Sequence, residues 1–137
     1  MITFNYQTAF TFKDRKKVKQ WIADCVSVFN YEINHIDFVF CDNKFIHAIN
    51  KEHLGHDYVT DIITFDYSKD NQLTAEIYIA PQHVRDNAID YNVSFKDELH
   101  RVMIHGILHI TGYNDQSPEQ KAEMRHKEDY LLSLRAF

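Results

Sequence analysis

The stretch His105-Gly106-Ile107-Leu108-His109-Ile110-Thr111-Gly112-Tyr113-Asn114-Asp115 holds two imidazoles four residues apart, then a glycine, then a carboxylate. On a helix, residues four apart share a face, so both rings can reach one ion. Gly112 permits a backbone turn that a β-carbon resists, and such a glycine commonly ends a helix. That turn can swing Asp115 back toward the same ion as a third donor. Two imidazoles and a carboxylate suit Zn²⁺, and three protein ligands leave one position open for water, as catalytic sites do. The alternative is two interior histidines hydrogen-bonded within a packed core, with Asp115 an ordinary loop acid. The chain carries 9 histidines, and chance alone supplies roughly half of one HxxxH pair at that frequency. Gly112 and Asp115 at their offsets are what raise the metal reading above that background.

These residues need elements to hold them. Ile2 to Tyr6 alternates apolar and polar in β-favouring residues, which predicts a first strand. Val18, Trp21, Ile22, Cys25, Val26 and Phe29 recur at helical spacing, predicting an amphipathic helix from about Lys13. Ile36 to Cys41 reads as a strand, and Asp42 as the N-cap of a helix bearing Phe45, Ile46 and Ile49. Ile62 to Phe65 and Thr74 to Ile79 flank a turn-like SKDNQ and predict an antiparallel hairpin. Pro81 opens a short helix bearing Val84, Ala88 and Tyr91. Ser94 with Asp97 resembles a capping box at the start of the helix that holds the two histidines. Ser117-Pro118-Glu119-Gln120 starts a last helix, with Ala122, Met124, Tyr130, Leu131 and Leu134 as its apolar positions. The order βαβαββααα predicts an α+β fold, a single mixed sheet of about four strands with helices packed on it and a zincin-like metal helix. At 137 residues the size prior is a single domain, 1–137.

Composition narrows the class further. Apolar residues make up 45% and charged ones 26%, ordinary globular values that exclude a disordered chain. No run approaches the roughly 20 apolar residues of a membrane span. The N-terminus MITFNYQTAF has no secretory signal pattern, and two cysteines without metal-type or redox-type spacing read as reduced, buried thiols. Together these predict a cytoplasmic protein with no membrane contact. A net charge of −5 argues against binding nucleic acid by bulk charge, though charge can be segregated. Lys13, Arg15, Lys16, Lys17 and Lys19 are so segregated, either as a solvated helix face or as a phosphate-steering patch.

The histidine spacing also resembles the metzincin peptidases, HExxHxxGxxH. Gly106 stands where those carry the glutamate general base, which disfavours a metallopeptidase. A glycine inside a helix costs about 1 kcal/mol, so something approaches Gly106 closely, a substrate backbone or a neighbouring strand.

Two blocks together resemble the YbeY family of bacterial metal-dependent endoribonucleases. His105 to Tyr113 is similar to that family's HGxLHxxGY signature. Asn50, Asp57, Thr60-Asp61-Ile62-Ile63-Thr64-Phe65 and Ala75-Glu76-Ile77 are similar to its second block at compatible spacing. The likeness runs from Phe38 to Met124. It implies a metal-dependent single-strand endoribonuclease that acts on rRNA or pre-rRNA, with the ribosomal small subunit as partner, in small-subunit rRNA processing and ribosome quality control. It also implies one Zn²⁺ held by His105, His109 and Asp115. A non-catalytic, metal-stabilised ribosome-assembly factor is the rival reading.

Three departures qualify the likeness. Asp115 replaces the family's third histidine, a harder, charged ligand that also suits Mn²⁺ or Mg²⁺. Leu54 stands where the family has an arginine, so Lys51, His53 or His56 would have to supply that charge. Glu76 replaces an aspartate, as a site carboxylate or simply a polar strand residue. Tyr113, between the ligands, reads either as a hydrogen-bond donor or as loop packing. Among many aromatics none can be singled out for base stacking, and the catalytic residues beyond the metal ligands stay unassigned.

Overall fold

A computed structural model describes residues 1–137. The elements follow the order βαβαββααα: β1 (Ile2–Tyr6), α1 (Arg15–Val28), β2 (Glu32–Phe40), α2 (Asn43–Leu54), β3 (Ile62–Asp66), β4 (Gln72–Ile79), α3 (Pro81–Asp90), α4 (Phe95–Ile110) and α5 (Pro118–Ser133). The four strands make one mixed sheet in the order β1-β2-β4-β3. β1 and β4 both run parallel to β2, and β3 pairs antiparallel with β4, as the hairpin reading expected.

Period-two alternation sorts the sheet's two faces. Leu73, Ala75, Ile77 and Ile79 of β4 are buried on one face, with Ile36, Phe38 and Phe40 of β2. That face meets Val18, Trp21, Ile22 and Cys25 of α1, and Met103, Ile104 and Ile107 of α4, in the main core. The other face is covered beside β3 by α2, where Ile46 packs with Cys41, Ile63 and Ala80. Both thiols are free and buried. Burial, and then the charges of Asp24 and Asp42, push Cys25 and Cys41 each up to about 12. They are inert packing residues.

β2 starts at Glu32, four residues before the sequence pattern announces it. The register is irregular between Ile33 and His35, which shifts the alternation and hides Ile33 from a period-two reading. Ser94 caps α4 by accepting from Asp97 N at 3.0 Å, but Asp97 bonds to Arg135 instead of closing a capping box. Ser117 and Gln120 do close one at α5. The apolar face of α5 is not the one the periodicity implied. Met124, Leu131 and Leu132 are buried, whereas Ala122, Tyr130 and Leu134 are exposed. Glu128 is the surprise on that helix, a carboxylate only 5% exposed.

Candidate metal centre

α4 is buried on most of its circumference by the sheet, α3 and α5, which fixes its rotation about its own axis. Gly106 is what lets it come so close. A β-carbon there would lie 3.0 Å from Ile62 Cδ1 and 3.3 Å from two carbons of Ile77. The close neighbour is therefore the sheet, not a substrate. The residue after His105 faces the interior and is in no position to act as a general base.

With α4 so placed, His105 and His109 present their rings together. The helix then ends in a Schellman turn, with Tyr113 N–H bonded to Leu108 O and Gly112 N–H to His109 O. Gly112 has φ +105°, which accounts for the glycine. The turn returns the chain so that Asp115 Oδ2 lies 3.4 Å from His105 Nε2 and 3.5 Å from His109 Nε2. The two Nε2 atoms are 3.0 Å apart.

Protons decide what this cluster can hold. His109 Nδ1 lies 3.1 Å from the Tyr113 carbonyl, which can only accept, so Nδ1 carries the hydrogen. His105 Nδ1 donates to Glu128 Oε2 at 2.7 Å. Both Nε2 atoms of the neutral rings are then lone pairs aimed at each other and at a carboxylate. Three donors in that arrangement repel unless a cation sits among them. Burial works against a proton on His105, but the Glu128 hydrogen bond and the charges of Glu128, Asp115 and Asp61 outweigh it and raise its pKa. Burial and then the His105 charge lower that of His109. The carboxylates around the rings favour positive charge at this place, where a divalent ion would sit. Donors about 2.0–2.1 Å from a tetrahedral ion lie roughly 3.3 Å from one another, and the observed triangle matches that spacing. His105, His109 and Asp115 are the three residues whose donor atoms meet in this way.

A sequence model of the family described as Endoribonuclease YbeY matches residues 2–135. The chain belongs to the YbeY family. A YbeY relative from Flavobacterium johnsoniae, named Endoribonuclease YbeY, is 41% identical over 134 residues, covering 98% of this chain and 96% of the relative. A protein of the same name from Cytophaga hutchinsonii is 39% identical over 135 residues, covering 98% and 94%. The solution structure of a Thermotoga maritima protein shares the fold, with TM-score 0.68 and 28% identity over 97% of this chain and 87% of that one.

Of the residues in the YbeY-like blocks, the structure keeps some beside the three donors and places others away from them. A cleft of about 390 Å³ opens at His105 and Asp115, lined among others by Asp61, Glu98, Arg101, Lys121, Arg125 and Glu128. Asp61 of the second block is thus at the site, next to Ile62. Glu76 is not. It lies in β4 between the inward Ala75 and Ile77, on the face opposite α4, and accepts from Tyr67 Oη at 3.2 Å. Lys51, His53 and His56 do not line the cleft either. Lys51 sits 4.0 Å from Asp57, which also bonds His47; the rings of His53 and His56 lie against Phe65 and Tyr58. Tyr113 contributes its carbonyl, while its ring packs on Phe29. Among the aromatics Tyr91, 59% exposed, is the one at the cleft.

Nothing in the local sequence pattern marks Glu128 or its partner Arg101. Arg101 bonds Glu128 at 3.0 Å and Asp129 at 2.7 Å, so the carboxylate that orients His105 is itself held. Glu98 is 5% exposed, and burial followed by the Asp61 charge raises its pKa, against Arg101 and Arg125. No helix is long and apolar enough to cross a membrane.

Proposed function

We propose that this chain, a single domain over residues 1–137, is a metal-dependent single-strand endoribonuclease of rRNA maturation, with His105, His109 and Asp115 as ligands of one Zn²⁺. Its substrate is rRNA or pre-rRNA associated with the ribosomal small subunit, and its compartment the cytoplasm. The observation that carries the reading is the meeting of three donor atoms within 3.5 Å of one another, two of them with their hydrogens committed elsewhere. Membership of the Endoribonuclease YbeY family supplies the reaction class.

A divalent ion held by His105, His109 and Asp115 would supply Lewis acidity there, lowering the pKa of water toward neutrality and polarising a phosphoryl oxygen. The protein does the positioning. Glu128 fixes the tautomer and direction of His105, and the Tyr113 carbonyl does so for His109. Asp115 is the hard, anionic member of the set and is compatible with Mn²⁺ or Mg²⁺ as well.

The test is metal content followed by cleavage of single-stranded RNA and of casein, for wild type, His109→Ala and Asp115→Asn. We expect one ion per chain, RNA cleavage without casein cleavage, and loss of both metal and cleavage in the variants. RNA cleavage that survives removal of the ion would overturn the reading. Full occupancy without hydrolysis, with stability lost on chelation, would mark a non-catalytic assembly factor instead.

A further inference from the structure

Four carboxylates line the cleft beside His105, those of Asp61, Glu98, Asp115 and Glu128, against the three cations Arg101, Lys121 and Arg125. A phosphodiester strand meets a repulsive field there unless positive charge is free to face it. Arg101 is not free. Its two terminal nitrogens are bonded to Glu128 and Asp129, and its side chain is 19% exposed. Arg125 differs on both counts, being 59% exposed with one loose contact to Glu128 at 3.9 Å, beyond hydrogen-bond length. Lys121 is exposed and has no ion-pair partner.

The two lie four residues apart on α5, so they share a face about 6 Å apart along the axis. Glu128, one further turn along the same stripe, touches His105. The helix that orients a proposed ligand therefore also lines the cleft with two uncommitted cations. The basic start of α1 does not compete for this place, because Arg15, Lys16 and Lys19 line a separate groove with Phe4 and Tyr6.

We propose that Lys121 and Arg125 bind the RNA backbone at the cleft, so that α5 is the phosphate-binding element of the site. This rests on the endoribonuclease reading above. Arg125 suits the task by its planar fork, which matches two phosphate oxygens, and Lys121 as a point charge. Without them, Arg101 and a divalent ion would set three positive charges against the four carboxylates, leaving a cleft that repels a polyanion.

The zinc-loaded protein would be titrated with a fluorescent, phosphorothioate-backbone single-stranded RNA over a range of salt, alongside kinetics on ordinary RNA. Lys121→Gln with Arg125→Gln should weaken binding on the order of tenfold and flatten the log–log salt slope by about 1.4, since each single-strand phosphate contact contributes about 0.7. KM should rise more than kcat falls, with zinc content and melting temperature unchanged. Arg125→Lys should bind between wild type and the double variant, keeping the charge but losing the fork. Lys16→Gln with Lys17→Gln should bind as wild type does. Wild-type affinity and slope in the α5 double variant, with zinc-dependent cleavage intact, would overturn this proposal alone. A wild-type protein that neither binds nor cleaves RNA would bring down the functional reading as well.

Discussion

Glu128 shows how much of a site can rest on a residue that no local pattern reveals. It is buried on a helix, bonded to Arg101 on one oxygen and to His105 Nδ1 on the other. Removing its charge while keeping its shape tests whether it does more than fill space. Glu128→Gln should leave the fold in place yet weaken Zn²⁺ binding by roughly 10- to 100-fold, the usual effect of losing a carboxylate behind a ligating histidine. Competition with a chromogenic chelator measures this directly. Unchanged affinity would reduce Glu128 to packing. The three proposed ligands were legible because they are local, two on one helical face and one a turn beyond, where spacing alone determines geometry. Glu128 lies 23 residues from its histidine, among Arg125, Lys127 and Asp129, so its surroundings look like a solvated face. Long-range pairing of charges leaves no periodic mark.

At the scale of elements, hydrophobic period together with helix-start signals predicted every strand and helix, and the period failed where polar residues turn inward or the ladder slips. β2 lost its first residues to the irregularity after Ile33. The apolar positions assigned to α5 included Tyr130 and Leu134, 49% and 40% exposed, because the helix buries a carboxylate where the pattern expects an apolar residue. The glycine in α4 marks a close approach, and its partners are Ile62 and Ile77. Ile77 is fully buried, so extra methyl groups at position 106 have nowhere to go. Gly106→Val should destabilise the protein by about 1–3 kcal/mol in urea denaturation, the range for overpacked cores. It should also weaken metal binding, because α4 must shift away from β3 and β4. A variant as stable as wild type would mean that the sheet accommodates the added groups and does not fix the position of α4.

Across the whole molecule, the chain's end is tied to its first helix through a buried ring. His100 is 2% exposed and accepts a hydrogen bond from Arg135 at 2.8 Å, with the rings of Trp21 and Phe137 about it. Burial first, then the cations Arg135 and Lys96, lower its pKa from 6.5 to about 4, against Asp97 and Asp14. The folded value lies below the unfolded one, so the unfolded chain takes up this proton first as pH falls. The contribution is complete above about pH 6.5 and is lost as the pH drops to about 4, amounting to about 3 kcal/mol at 1.36 kcal/mol per pH unit. Denaturation midpoints across that window should fall for wild type and flatten in His100→Phe. Parallel curves for the two would assign the acid limb to other groups.

The ligand set itself is best tested by anomalous diffraction at the zinc edge from crystals grown with one equivalent of Zn²⁺. One peak is expected, bonded to Nε2 of His105, Nε2 of His109 and a carboxylate oxygen of Asp115 at about 2.0–2.2 Å. A peak bonded to the histidines with Asp115 turned away, or zinc bound elsewhere while these three remain hydrogen-bonded to one another, would contradict it.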